Sequence, residues 1–310
     1  MDILVIGSLN MDLGIMTERI PRIGETVRGE GFFTTPGGKG ANQAAAAAKL
    51  GGSVAMLGCV GNDAFGLQLM DSLRQSGVDT SHILRHEMLP TGVAMILVER
   101  GDCIAPGDNC IVIAPGANGA LSPEDIRRNA ALFAQCKVVV LQLEIPLETV
   151  RAAMRLAKAY GKTVLLNPAP AVPLDDEILA MADILTPNES ECEALTGLPV
   201  RNKEEALAAA QVLRERGAAK VIVTLGGKGL VYAGPEGTAH LPARPVQVAD
   251  TTAAGDCFMG ALAAALAGGK TIEQSLPFAR DAAALAVTRK GAQASLPALE
   301  DVIGFLLPTA

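Results

Sequence analysis

The feature of this chain that most limits its fold is an alternation. Short, continuously apolar runs are separated by longer stretches rich in alanine and leucine. Ile3–Ile6, Val138–Leu141, Thr163–Leu166, Ile184–Leu185 and Val221–Thr224 are such runs, as are 54–57 and 230–232. Residues 41–50, 65–75, 147–160 and 204–216 carry a helical period between several of them. A strand apolar on both faces must be covered on both faces, and strands that alternate with helices pair in parallel. The expected class is therefore α/β, with a mostly parallel central sheet, helices on both faces and right-handed crossovers.

Two stretches break the pattern. Residues 13–36 contain Gly24, Gly29 and Gly31 and have no helical period. Residues 91–114 hold two apolar runs, 93–98 and 111–113, joined through Gly101-Asp102 and Pro106-Gly107-Asp108. They read as strands of a small accessory sheet, a lid on the main body, or as two irregular surface loops; the sheet is the expectation. Without a composition shift to mark a linker, residues 1–310 are expected to be one domain with lid strands at about 13–36 and 91–114.

Composition narrows the function. The net charge is −7, with only 7 Phe, 2 Tyr and no Trp. Such a chain has no basic field for nucleic acid or an anionic membrane, and few aromatic platforms for stacking bases. The six cysteines are scattered without a Cys-x-x-Cys pair, so they spell no zinc or thioredoxin-type motif. The spacing of Cys103 and Cys110 permits a disulfide, but Met1-Asp2-Ile3-Leu4 reads as the start of a strand and not as a basic leader, and a cytoplasmic location is expected. The apolar segment 257–269 is too short to span a bilayer. His82, His86 and His240 form no triad or metal set, and Gly7-Ser8-Leu9-Asn10 replaces the glycine fingerprint a dinucleotide would need after the first strand.

The segment richest in chemistry is Asp250-Thr251-Thr252-Ala253-Ala254-Gly255-Asp256, followed by an Ala/Leu helix over 257–266 and preceded by an extended run at 245–249. Small residues before a helix leave backbone N–H groups open at its positive end, which makes an anion site. Asp256 in the first turn either caps that helix or stands beside the anion as a base for an attacking hydroxyl.

This segment resembles the C-terminal signature of the ribokinase family of sugar and nucleoside kinases. Other segments of that family follow in its order: Gly37-Gly38-Lys39-Gly40-Ala41-Asn42-Gln43-Ala44, Gly58-Cys59-Val60-Gly61-Asn62-Asp63, Asn167-Pro168-Ala169-Pro170, Pro187-Asn188-Glu189-Ser190-Glu191 and Thr224-Leu225-Gly226-Gly227-Lys228-Gly229. Asn10-Met11-Asp12, Leu141-Gln142-Leu143-Glu144 and Thr288-Arg289-Lys290-Gly291-Ala292-Gln293 point, within the family, to ribose as the sugar.

The resemblance implies a ribokinase-like fold and ATP-dependent phosphorylation of D-ribose at O5. Asp256 becomes the general base, and the N–H groups of Ala253, Ala254, Gly255 and Asp256 the anion hole. Asn10, Asp12, Gly38, Lys39, Asn42 and Glu144 are assigned to the sugar. Asn188, Thr224, Gly226, Gly229 and Gly255 are assigned to ATP, and Glu191 to magnesium through water. Asp250, Thr252, Ala286, Arg289, Gly291 and Ser295 are assigned to a potassium ion. The family also pairs lid strands into a homodimer. Taken singly, Asp12 can cap a turn, Asn42 can cap the helix it opens, and Lys39, Glu144 and Glu191 can be solvated charges. Cys257 and Met259 depart from the family, which usually has Thr and, in many members, Asn there. Another sugar such as 2-deoxyribose, a nucleoside, or a catalytically silent sugar-binding protein are the rival expectations.

Overall fold

The computed structural model describes residues 1–100 and 109–306. Its strands are β1 (Ile3–Ile6), β2 (Asn10–Thr17), β3 (Gly29–Gly37), β4 (Val54–Gly61), β5 (Ile83–His86), β6 (Gly92–Glu99), β7 (Asn109–Ala114), β8 (Val138–Leu141), β9 (Thr163–Leu166), β10 (Ile184–Leu185), β11 (Val221–Thr224), β12 (Leu230–Gly234) and β13 (Gly237–Leu241). Its helices are α1 (Lys39–Lys49), α2 (Ala64–Gln75), α3 (Pro123–Arg128), α4 (Ala130–Gln135), α5 (Leu147–Ala159), α6 (Asp176–Met181), α7 (Glu189–Thr196), α8 (Lys203–Glu215), α9 (Ala254–Ala267), α10 (Ile272–Ala286) and α11 (Leu299–Leu306).

Nine strands form the main sheet in the order β13-β12-β11-β10-β9-β8-β1-β4-β5. Pairing is parallel from β5 through β11, and among the described strands only the β11–β12 and β12–β13 pairs of this sheet are antiparallel. The expected mostly parallel α/β sheet is therefore present. Its strands are apolar throughout because each feeds two cores. In β1, Ile3 and Val5 pack with α1, α2, α9 and α10, whereas Leu4 and Ile6 pack with the layer of α3 to α8.

A separate sheet of four strands has the order β3-β2-β6-β7. It is the expected accessory sheet, with one difference of consequence. Strand β2 starts at Asn10, ahead of residue 13, so the candidate sugar residues Asn10 and Asp12 lie on it. The connection through Gly101-Asp102 and Pro106-Gly107-Asp108, and with it any pairing of Cys103, lies outside the described residues. Residues 245–249, expected to be extended, belong to no strand.

Helices α1 and α9 begin at the same place and cross tightly. Residues Ala41 and Ala44–Ala47 of α1 are all fully buried. Opposite them is Gly260, where a Cβ would come within 2.7 Å of the Ala47 nitrogen and the Gln43 carbonyl oxygen. Small side chains on both helices bring the two N-termini together, and that approach builds the site.

Candidate active site

Asp256 lies in the first turn of α9 and is 7% exposed. Its carboxylate does not cap its own helix. Oδ2 accepts a hydrogen bond from Asn42 Nδ2 at 3.0 Å, and Oδ1 accepts one from Gln43 Nε2 at 3.0 Å. Asn42 is not a cap either: Gly38 occupies the N-cap of α1, with no side-chain bond to it. Both of these sequence-level alternatives fall to the same contact.

The first intrahelical bond of α9 runs from the Cys257 N–H to the Ala253 carbonyl at 2.8 Å. The preceding turn borders a cavity of roughly 210 Å³, lined among others by Lys39, Asn188, Glu191, Thr224 and Ala253 to Asp256. One expected anion donor is engaged: the Ala254 N–H reaches the Thr251 carbonyl at 3.3 Å, closing a turn. Ala253 holds φ at 60°, in the left-handed region that favours glycine. This conformation directs the chain from the 250–252 loop into the helix axis.

On the sugar side, three carboxylates converge. Burial first, then the charges of Glu144 and Asp256, push the Asp12 carboxyl up to about 7. Glu144 Oε2 accepts from the Ser8 hydroxyl at 2.5 Å and from the Lys39 N–H at 3.1 Å, so it is held and not merely solvated. Asn10 Oδ1 accepts from Asn118 Nδ2 at 2.8 Å. Asn118 also brackets Leu9 through both of its backbone groups, at 2.9 Å each. Burial pulls the Lys39 ammonium down, yet the charges of Asp256, Glu144 and Glu191 outweigh it and hold the pKa above the usual lysine value. Lys39, assigned by resemblance to the sugar, borders the phosphate-sized cavity as well.

On the other side, Asn188 and Glu191 form a reciprocal cap of α7. Asn188 Oδ1 accepts from the Glu191 N–H at 2.8 Å, and the Glu191 carboxylate accepts from the Asn188 N–H at 2.9 Å. Glu191 is only 8% exposed, and burial raises its pKa although the Asn188 N–H and Lys39 oppose the shift. Thr224, at the end of β11, forms a parallel bridge with Asn188. Gly226 and Gly229 lie beyond it, in and after the short turn Gly226–Lys228, and do not line the cavity.

The loop before α9 is anchored from below. Asp250 Oδ1 accepts from the Thr252 N–H at 2.9 Å and hydroxyl at 2.7 Å, and Oδ2 from the Gly291 N–H at 2.9 Å. The Ala249 N–H donates to the Val287 carbonyl at 2.8 Å. The two segments assigned to a monovalent cation, Asp250 with Thr252 and Ala286 to Ser295, are thereby brought together. Ser295 is buried, and its hydroxyl donates to the Ala292 carbonyl at 2.8 Å. Arg289 sends its guanidinium outward to Asp301, 3.0 Å away, leaving only its carbonyl for such a role. The oxygen-only donor set, one carboxylate, one hydroxyl and backbone carbonyls, suits a hard cation.

Sequence reasoning missed Ser8, Asn118, Gln43, Gln142 and Asn167 as site residues. The last three stood inside the recognised motifs without a role, and that was the available signal. The departures Cys257 and Met259 are core residues, 0% and 1% exposed. Met259 Sδ accepts from the Thr186 hydroxyl at 2.8 Å, so some polar character persists at that position.

A buried carboxylate at a helix N-terminus, between a ring of acids and amides and a phosphate-sized cavity, is the arrangement of a sugar kinase. Residues 1–299 match the model of the pfkB family of carbohydrate kinases, and the chain belongs to that family. Among its relatives, a ribokinase of Haemophilus influenzae is 41% identical over 302 residues, covering 97% of both chains. A deoxyribokinase of Salmonella typhi is 42% identical over 307 residues, covering 99% of both. The structure of Arabidopsis thaliana ribokinase complexed with ribose and ATP superposes with a TM-score of 0.92 at 34% identity, over 99% of each chain.

Proposed function

We propose that the protein transfers the γ-phosphoryl group of ATP to O5 of D-ribose, giving ribose 5-phosphate. The observation that carries this reading is the position of Asp256. Its carboxylate faces the cavity at the start of α9, and amides from α1 orient it toward the side where Asn10, Asp12 and Glu144 gather. The O5 hydroxyl gives its proton to Asp256 as O5 attacks phosphorus in line. Asn10, Asp12, Asn42 and Glu144 accept from and donate to the remaining hydroxyls, and Gly38 lets the start of α1 close against the backbone of Ser8 to Asn10, where a Cβ would come within 2.6 Å of the Asn10 nitrogen. Gly255 and Asp256 present N–H groups to the phosphoryl oxygens, and Lys39 adds a positive charge on the same wall. Thr224, Gly226, Gly229 and Asn188 bound the nucleotide.

Glu191, with the Asn188 amide, fits a magnesium ion held through water, being a single buried carboxylate beside the phosphate space. Bound there, the ion would neutralise part of the phosphate charge, with Glu191 and Asn188 holding its water shell. The oxygens of Asp250, Thr252, Ala286, Arg289, Gly291 and Ser295 fit potassium, which adds fixed positive charge beneath the 250–252 loop.

The small sheet serves as a lid that excludes water from the transfer. Phe32, Met95 and Val112 on it are more than half exposed, and Met95 and Val112 stand side by side across β6 and β7. An apolar sheet surface of this kind calls for cover, and a second copy of the chain, lid against lid, provides it. No helix among the described residues is long and apolar enough to cross a membrane, and a cytoplasmic location accords with the free, buried thiols Cys59, Cys136, Cys192 and Cys257.

Deoxyribokinase relatives, as similar as ribokinases, make 2-deoxyribose the second reading. A coupled assay across ribose, 2-deoxyribose, fructose and adenosine decides between them. Ribose is expected to give the highest kcat/KM; faster turnover of 2-deoxyribose overturns the choice of sugar, and no turnover of any overturns the enzymatic reading.

A further inference from the structure

Gln43 and Gln142 lie behind the Asp256 carboxylate and do not line the cavity beside it. Both are fully buried, in surroundings where an unpaired amide is costly. Their hydrogen bonds form a directed chain. Gln142 Nε2 donates to Gln43 Oε1 at 2.7 Å, and Gln43 Nε2 donates to Asp256 Oδ1 at 3.0 Å and to Asn167 Oδ1 at 3.2 Å.

The direction has a physical origin. An ionised carboxylate only accepts, so Gln43 must turn its nitrogen toward Asp256 and its oxygen toward Gln142. Gln142 must then offer its own nitrogen. Its oxygen is left without a hydrogen-bond partner, in space that exists because residue 7 is glycine; a Cβ there would overlap the Gln142 amide. An orphaned buried acceptor is costly, so the Gln142 amide is retained here at the expense of its own oxygen.

We infer that Gln43, held by Gln142, is a positioning residue that fixes the Asp256 side chain by its Oδ1 and leaves Oδ2 as the oxygen that takes the sugar proton. The inference rests on Asp256 being the base. The two oxygens differ in surroundings. Oδ1 is tied from behind, whereas Oδ2 meets Asn42, a residue of the sugar side. In the reaction the O5–H bond breaks and an Oδ2–H bond forms; the freed electron pair on O5 makes the new O5–P bond while the bond from the γ-phosphorus to its bridging oxygen breaks and ADP leaves with that pair. A carboxylate free to rotate would present either oxygen in varied directions and lose the alignment that proton transfer needs.

The test compares Gln43→Met, Gln142→Met and Asp256→Asn, alone and with Gln43→Met in the Asp256→Asn background. Sugar and ATP saturation kinetics, thermal midpoint and sugar binding by calorimetry are measured on each. Gln43→Met is expected to lower kcat by about 10²-fold with both KM values within about threefold, and Gln142→Met by about 10-fold in the same manner. In the Asp256→Asn background Gln43→Met is expected to cost nothing more, because it acts through that carboxylate. An additive loss in the double variant, or a KM that rises as kcat falls, means a packing role and overturns the inference. Should Gln43→Met fail to fold, Gln142→Met carries the same test, since it leaves the Gln43 contact with Asp256 in reach. Wild-type kcat in Gln43→Met with Asp256→Asn inactive overturns the inference alone; wild-type kcat in Asp256→Asn overturns the base itself.

Discussion

The carboxylate of Asp63 holds Thr91 by two hydrogen bonds, from its backbone N–H at 2.7 Å and from its hydroxyl at 2.6 Å. The same carboxylate caps α2 by accepting from the Gly66 N–H at 2.8 Å. Thr91 directly precedes β6, so one acid joins the main body to the root of the small sheet.

Burial acts to raise the Asp63 pKa, but the bonds from Thr91 and Gly66 prevail and hold it below the usual carboxylate value. With a folded pKa below the unfolded one, this stabilisation is present at neutral pH and is lost in acid as pH falls through the folded value. Thr91→Val removes the hydroxyl and orphans the Gly61 N–H, which donates to it at 2.9 Å. It is expected to cost about 1–3 kcal/mol, seen as a lower denaturant midpoint at pH 7. An unchanged midpoint means that the junction is not anchored here.

Asp12 has the opposite sign. Its folded pKa of about 7 lies above the unfolded carboxylate value, so the folded state binds the extra proton between those limits. Stability is therefore lost as pH rises from the unfolded value through about 7, because the Asp12 charge must be held in a buried place and beside Glu144 and Asp256. Asp12→Asn is expected to raise the thermal midpoint by several degrees at pH 8 and by clearly less at pH 5, while weakening sugar binding about 10-fold or more at pH 8. Melting curves at both pH values check the first part and calorimetry the second.

Ala253 adopts φ 60° without being glycine. Ala253→Gly removes a steric cost of about 1–2 kcal/mol and adds freedom to the unfolded chain, so the net change is expected to stay within about 1 kcal/mol. Ala253→Val places a branched side chain in a conformation it tolerates poorly, and is expected to lower both stability and kcat. Equal behaviour of the two variants in melting and kinetic assays argues against strain in this turn.

Asp250 closes the loop before α9 with Oδ1, on Thr252, and ties it to Gly291 with Oδ2. Potassium is expected to raise kcat over sodium in the wild type, and Asp250→Ala is expected to abolish that response together with most of the activity. Activation profiles in the two chlorides at fixed ionic strength decide it; indifference of the wild type to both ions removes the cation from this loop.

Much of this was legible in the chain because it is local. The apolar runs that became β1, β8, β9 and β11 needed no context, and the glycine-rich segment at 37–42 and the small-residue segment at 250–256 each carry their chemistry in consecutive residues. What escaped is what folding brings together. Gln43 meets Asp256 across 213 positions, Ser8 meets Glu144 across 136, and Leu9 meets Asn118 across 109. The edge strands β5 and β13 also escaped, being short and partly exposed, so that no continuous apolar run marks them. Helix α10 carries Pro277 inside it, which masks the helical period over its first turns.

Strand β2 carries Asn10 and Asp12 and is also the strand on which β3 and β6 are assembled. Under the proposed function, the side chains that hold the sugar and the sheet that covers it thus share one strand. Drawing Asn10 and Asp12 onto a sugar would carry the cover with them, and without sugar the cover would lack that pull. Thrift with ATP would then be a matter of carpentry: the latch and the door are cut from the same board.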